Sequence, residues 1–428
     1  MLAGWNAIGL GVGASLLAYA ANNELDPNLL TMQLTYICVF PLMFGAYRWG
    51  FGKLPRVTFP EKNAAFEKKV LEPLVVAGWV LIVWRAVQMT VFAATGADDR
   101  GDFSLVAQDQ YFGVWTYFSL FPRFNSLGYF LVPLVFARST SLAKLVLLGI
   151  LAYCQLLGFS SGARGLVIYP IIYIGVGMHF FRSIQRLKID IAALVVVLCT
   201  MPLLIFMDHF RNTEGYRASR TIDVSARLQT LGEAAERSKA TKEDSASDGA
   251  NLVILGSALI GFSDTIIYAM TPDLVPHAGA ENFSGVIYTW VPFFLYKDRP
   301  VLYDSNIIMF DYLEGPRTRT GRAISLEADL YRRFSWIGIP FGVFFFYYIY
   351  GRFCRFCYHI YFFKDSFLGI LMILFLFSFL QARPFSTVLT TWWTFFYEVP
   401  KHLIAGYVFY ILVKTVRPTG RIPGVLKF

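Results

Sequence analysis

The chain has 428 residues, 56% of them apolar and only 16% charged, with 41 Phe and 24 Tyr, and its mean hydropathy is +0.51. A soluble domain carries about 25% charge, so this composition excludes an ordinary cytosolic enzyme, a disordered chain and a disulfide-stapled secreted module. The formal net charge of +9 would raise nucleic acid as a partner, but the positions of the basic residues assign that charge to membrane topology instead.

A helix needs roughly 20 mostly apolar residues to cross about 30 Å of hydrocarbon, because each residue rises about 1.5 Å. Such runs are expected at 2–21, 29–47, 71–94, 111–136, 145–159, 166–181, 191–207, 334–350, 366–380 and 393–413. Pro122-Arg123 inside the fourth predicts a break or a re-entrant turn, and Glu398 and Lys401 interrupt the last. No cleavable signal peptide is read at 2–21, since no basic residue precedes it and no clear cleavage site follows. The expectation is an all-α, polytopic membrane protein of about ten transmembrane helices.

Orientation follows from Lys and Arg. With a cytoplasmic N-terminus, alternate loops are basic: Arg48, Lys53, Arg56, Lys62, Lys68 and Lys69, then Arg138 with Lys144, then Arg182 with Arg186 and Lys188. Glu24, Asp26, Asp98, Asp99, Asp102 and Asp109 mark the opposite side, with Arg100 alone among them. Residues 208–333 hold 14 Lys/Arg and 17 Asp/Glu. They are read as one large, mostly helical extracytoplasmic loop domain, set between helices 1–7 (residues 1–207) and helices 8–10 with a cytoplasmic tail (residues 334–428). Inside that domain, 250–271 is apolar enough to tempt a crossing, with Asp264 in its midst. A crossing would put Arg352, Arg355 and Lys364 outside. An interfacial placement keeps them cytoplasmic and satisfies the positive-inside rule at every short loop, so both termini are expected in the cytoplasm. Thr221 reads as an N-cap, followed by Val224, Leu228, Leu231 and Ala235 at helical spacing.

Several charges fall where chemistry is possible. Arg85 and Arg123 lie within spans, where ionisable groups are costly and mark pathways or sites; snorkelling, or pairing with a partner such as Glu72, is the plainer reading. Arg164 follows Ser160-Ser161-Gly162-Ala163, small residues that let backbone N–H groups approach an anion, although a simple helix-end turn explains them equally. Arg211, Arg217 and Arg220 stand within ten residues of one another just beyond a span. Guanidinium groups bind phosphate oxygens bidentately, which suits a pyrophosphate at headgroup depth, and a solvated turn pairing with Glu214 and Asp223 is the alternative. Lys297-Asp298-Arg299-Pro300 precedes Arg317, Arg319, Arg322, Glu327, Asp329, Arg332 and Arg333, where a carboxylate beside cations can act as a base while they hold an anion. Cys38, Cys154 and Cys199 read as small apolar residues within spans, and Cys354-Arg355-Phe356-Cys357 lacks the companions of a zinc site. His209 and His277 remain acid/base candidates. No P-loop or Rossmann fingerprint is present in the sequence.

Three stretches together resemble the Wzy-type polymerases of O-antigens and exopolysaccharides, multispan enzymes that join lipid-linked repeat units. Ser161-Gly162-Ala163-Arg164-Gly165 is similar to that family's Gly-Ser-Arg-Gly turn. Val291-Pro292-Phe293-Phe294-Leu295-Tyr296-Lys297-Asp298-Arg299-Pro300 is similar to its isoleucine–proline–arginine stretch leading to a Lys-Pro pair, with Arg299 at the lysine and Phe293 where the arginine stands. Ala328-Asp329-Leu330-Tyr331-Arg332-Arg333-Phe334-Ser335-Trp336-Ile337-Gly338 is similar to Gly-Glu-x-Tyr-x-Asn-Phe-Gly-x-x-Gly, with Asp329 for the Glu and Ser335 for the first Gly. The three cover about a tenth of the chain.

The resemblance implies metal-independent glycosyl transfer, without a cofactor, on the outer face of a bacterial cytoplasmic (inner) membrane. Donor and acceptor would be undecaprenyl-pyrophosphate-linked oligosaccharides in membrane lipid, with a chain-length regulator and a flippase as further partners and no nucleic acid. Arg164, Arg211, Arg217, Arg220 and Arg299 would hold the pyrophosphate, Asp329 would take the acceptor proton with His277 as runner-up, and Trp290, Tyr296 and Tyr331 would face sugar rings. An O-antigen ligase-like transferase and a non-enzymatic transporter of lipid-linked glycans are the competing readings, the latter weakened by the long hydrophilic insert.

Overall fold

The structure, a computed structural model, describes residues 27–53, 64–95, 122–160, 164–181, 264, 266–281, 283–287, 312, 324–379 and 387–417. Among these residues all regular structure is helical, with no strand. In chain order the longer helices are α1 (Pro27–Phe51), α2 (residues 64–95, with a π-helical turn at Glu67–Leu71), α3 (Pro122–Arg138), α4 (Ser141–Ser160), α5 (Arg164–Phe180), α6 (Leu326–Phe363), α7 (Ser366–Phe379) and α8 (residues 388–416, π-helical at Thr394–Glu398), with one further short turn of helix at Ser284–Ile287. Glu67–Val91, Ser141–Phe159, Leu326–Phe363 and Val388–Val416 are long and apolar enough to cross a membrane, the character of a polytopic membrane protein. The expected runs at 2–21 and 191–207, residues 111–121 of the fourth run, and 208–263 of the hydrophilic insert lie outside the described residues.

The chain divides into two compact units. Met1–Pro55, Val253–His359 and Phe379–Ala405 form the first; Arg56–Leu252, Ile360–Ser378 and Gly406–Phe428 form the second.

In the second unit, α2 presents a stripe of buried residues, Leu74, Ala77, Leu81, Arg85 and Gln88, and exposes Val80, Val83, Trp84 and Val87. That three-to-four spacing is one face of a helix. Gly78 of α2 lies so close to α3 that an added Cβ would meet Val135 Cγ2 at 2.4 Å, so only glycine lets the two helices touch. Met89, Cys154 and Leu157 join α2 to α4. Asp365 closes the N-terminus of α7 by accepting from Leu368 N at 3.0 Å, and its other oxygen accepts from the Tyr410 hydroxyl at 3.0 Å. Arg138 pairs with Glu67, and Arg417 with Glu72 at 3.5 Å. Glu72 is therefore engaged away from Arg85, which corrects the pairing offered for that arginine.

In the first unit, α1 and α6 meet backbone to backbone. A Cβ on Gly351 would lie 2.4 Å from Tyr47 O, and one on Gly50 would lie 2.2 Å from Tyr348 O. Aromatic contacts flank this crossing, with Trp49 edge-on to Phe344 and Tyr47 against Tyr350. The start of α8 packs on α6 through Trp392 on Phe345 and Phe395 on Phe346.

Two elements depart from expectation. The span expected at 334–350 belongs to a longer element. As one rod, 38 residues would reach about 57 Å at about 1.5 Å each, nearly twice the hydrocarbon thickness. A break resolves this, because Phe334 (φ −128°, ψ 17°) and Ser335 (φ 59°, ψ −164°) leave the helical region. The chain then turns enough that a Cβ on Gly342 would strike the Leu330 side chain at 2.2 Å. At its other end α6 continues past Tyr350 to Phe363 because its buried face continues through Cys354 and Cys357, while Arg352 and Arg355 stay exposed on the opposite face. In α8, Glu398 does not end the helix. Its carboxylate accepts from Lys401 and lies 3.4 Å from His402 Nδ1, so the interrupting charges offset one another within the helix.

Candidate functional site

Ser325 starts α6. Its hydroxyl accepts from Ala328 N at 3.1 Å, and its own N–H donates to Asp264 Oδ1 at 3.0 Å. This cap fixes the first turns, which carry Glu327, Asp329, Arg332 and Arg333, all buried.

Asp329 is 0% exposed. Oδ1 accepts from Arg332 Nε at 2.8 Å and lies 2.7 Å from Arg332 Nη2. Oδ2 accepts from Arg333 Nε at 3.2 Å and from the backbone N–H of Val388, at the start of α8, at 2.7 Å. Arg333 Nη1 also donates to the carbonyls of Gly279 at 3.2 Å and Glu281 at 2.8 Å, with the guanidinium over the Phe283 ring. A carboxylate whose oxygens hold two guanidiniums and a backbone amide is not placed to take a proton from an acceptor hydroxyl. The base role expected of Asp329 gives way to positioning: it ties the 277–283 loop, the start of α6 and the start of α8 into one body.

That loop carries His277, which is exposed. Its Nδ1 faces the Arg332 carbonyl at 3.3 Å. A carbonyl only accepts, so in the neutral ring this contact puts the proton on Nδ1 and the lone pair on Nε2. The backbone holds the loop in place, with Ala278 N and Gly279 N donating to the carbonyls of Arg332 and Arg333 at 3.1 Å each.

Beside His277 lies an aromatic cluster. The ring of Tyr331 is 5.9 Å from the imidazole, edge to face. It packs on Tyr268 at 4.6 Å and on Trp336 at 4.8 Å, and Tyr268 stacks with Trp336 at 5.5 Å. The Tyr331 hydroxyl donates to Thr271 O at 2.9 Å. Tyr268 and Tyr331 are buried, while Trp336 is 46% exposed, so the indole forms the open surface of the stack. Trp336 follows directly on the break, and Ser335 holds the positive-φ, extended-ψ geometry that glycine adopts most readily.

The structure thus brings Asp329, His277 and Tyr331 together in one unit. Arg211, Arg217, Arg220, Trp290, Tyr296 and Arg299 lie outside the described residues. Arg164 opens α5, and its side chain is not among those described. Among the described residues no three His, Cys, Asp or Glu side chains converge as metal ligands. Sequence reading did not single out Tyr268, Trp336, Thr271 or the Val388 amide. Contacts across some sixty residues leave no local pattern, and the one usable sign was Ser335 standing at a glycine position. Asp264 and Glu327 form a second acidic pair within electrostatic reach of each other, both buried and both within electrostatic reach of the stack's Tyr268. No protein-family model, no curated protein and no solved structure matches the chain.

Proposed function

We propose that this chain is a membrane glycosyltransferase that joins undecaprenyl-pyrophosphate-linked oligosaccharide repeat units into a surface or exported polysaccharide, on the outer face of a bacterial cytoplasmic membrane. The observation that carries this reading is the pairing of a histidine, its Nδ1 against the Arg332 carbonyl, with an open aromatic face, at the start of an apolar helix of membrane-spanning length. Sugar rings lay their C–H faces on indoles and phenols, and a lipid-linked sugar must be met at the edge of the bilayer.

In this mechanism, Trp336, backed by Tyr331 and Tyr268, carries a sugar of the acceptor. An acceptor hydroxyl attacks the anomeric carbon of the donor, forming the new C–O bond. The bond from that carbon to the pyrophosphate oxygen breaks, and the leaving group departs with the electron pair. His277 Nε2 takes the hydroxyl proton, with Nδ1–H held by Arg332 O so that the imidazolium is stabilised and oriented. Contact with the leaving pyrophosphate is assigned to Arg164, Arg211, Arg217, Arg220 and Arg299. The break at Ser335 and its glycine-like geometry also support the resemblance, since a glycine stands there in the motif.

The test is disruption of the gene followed by gel analysis of the surface glycan. Collapse of the ladder to a single repeat unit is expected. Long chains that stay on the lipid carrier would identify a ligase instead, and an unchanged ladder would remove the proposal.

A further inference from the structure

Midway along α2, a second polar cluster sits among apolar neighbours. Arg85 has twelve uncharged residues on either side, yet its side chain is 6% exposed and lies on the buried stripe that packs against α3 and α4. Among the described residues no carboxylate pairs with it. Its Nη1 donates to Gln88 Oε1, and Asn125 Nδ2 donates to the same oxygen at 2.6 Å. The Tyr129 hydroxyl lies against the guanidinium. Arg85 Nε donates to no acceptor, and Asn125 Oδ1 accepts from no donor. A full cation and an amide donor therefore gather around one neutral carbonyl oxygen, at the first turn of α3, where N–H groups carry partial positive charge.

Burying an ion is far more expensive than burying an amide unless an opposite charge accompanies it. A bundle-facing arginine in an apolar helix that has no carboxylate beside it therefore points to a charge that arrives from elsewhere. We propose that Arg85, Gln88 and Asn125 form a binding site for a phosphate-class oxyanion. Turning Gln88 aside frees Arg85 Nη1 and Asn125 Nδ2, and the guanidinium fork with Nε then offers more than one N–H to the same anion. The carbonyl oxygen of Gln88 carries only a partial charge, so an oxyanion replaces it with a gain in electrostatic attraction. The apolar setting favours a phosphate borne on a lipid. Free phosphate must shed its hydration shell to enter, whereas a lipid phosphate brings a hydrocarbon body that packs where the helices are apolar. The site does not depend on the glycosyl-transfer reading and stands for any phosphorylated lipid.

The test is the thermal unfolding midpoint of the full-length protein in detergent micelles, titrated with a polyprenyl monophosphate, with the matching polyprenol, and with inorganic phosphate. A rise with polyprenyl monophosphate, absent with the polyprenol, supports the site and a lipid source; an equal rise with inorganic phosphate supports the site and assigns a free source. No rise with either phosphate overturns the proposal. Asn125→Asp puts a carboxylate beside the guanidinium, so it is expected to raise the midpoint without ligand and to weaken apparent phosphate affinity at least tenfold. Arg85→Gln is expected to abolish the response. A wild-type response in Asn125→Asp overturns the proposal even if Arg85→Gln fails to fold.

Discussion

Removing the Asp329 carboxylate is the sharpest perturbation of the first unit. Asp329→Ala takes away the carboxylate that lies against the Arg332 guanidinium, at 2% side-chain exposure, and deprives the Val388 N–H of the acceptor it meets at 2.7 Å. Breaking a buried ion pair from one side costs about 3–5 kcal/mol, and orphaning a buried backbone donor adds about 1–3 kcal/mol. Arg333 retains the Gly279 and Glu281 carbonyls, so the low end of each range is the better guide, about 4 kcal/mol in all. Against a typical stability of about 5–15 kcal/mol, that is a large loss. It is read as a drop in the thermal midpoint and in chymotrypsin resistance in detergent micelles. The double variant Asp329→Leu with Arg332→Met removes both members of the buried pair and should recover part of the loss, since replacing a buried ion pair by apolar side chains is often near neutral. An Asp329→Ala protein that melts with the wild type would refute the positioning role, as would a double variant less stable than the single one.

Ser335→Gly should stabilise the protein by about 1 kcal/mol: it relieves roughly 1–3 kcal/mol of strain at φ 59°, less the added entropy of glycine in the unfolded chain. A lower melting midpoint for that variant would contradict the geometry of the break. Gly351→Val forces side-chain atoms against Tyr47 O, which lies 2.4 Å from a bare Cβ, and should destabilise by about 1–3 kcal/mol or more, seen as earlier unfolding; an unchanged midpoint would mean that α1 and α6 do not meet there. Asp365→Ala removes the cap of α7 and the Tyr410 partner and should cost about 1–2 kcal/mol, checked by the same melt. Trp336→Ala, at an open face, should weaken acceptor binding about tenfold, a loss of about 1.4 kcal/mol, beside a lower melting midpoint from its lost contacts with Tyr268 and Tyr331. Equal glycan yield at limiting acceptor would remove the platform role.

How much of this was legible beforehand depends on the range of the interaction. The apolar runs at 29–47, 71–94, 145–159, 166–181 and 366–380 match helices closely because each needs only its own residues to declare it. The end of α6 did not, since Arg352 and Arg355 read as a loop while the buried face through Cys354 and Cys357 carried the helix on. Glu398 read as an interruption because its neutralising partner, Lys401, lies one turn further along. Asp329 drew attention as an acid, but its burial between two arginines and an amide 59 residues away has no trace in local spacing. His277 was second choice, because its contact with the Arg332 carbonyl, 55 residues distant, leaves no local trace either.

The central claim is best met by the purified chain in proteoliposomes, supplied with lipid-linked repeat units extracted from cells that lack it. The account predicts glycans of two or more repeats together with released undecaprenyl pyrophosphate, and loss of both in His277→Gln. Repeat units that stay single in the presence of correctly inserted wild-type protein would contradict it.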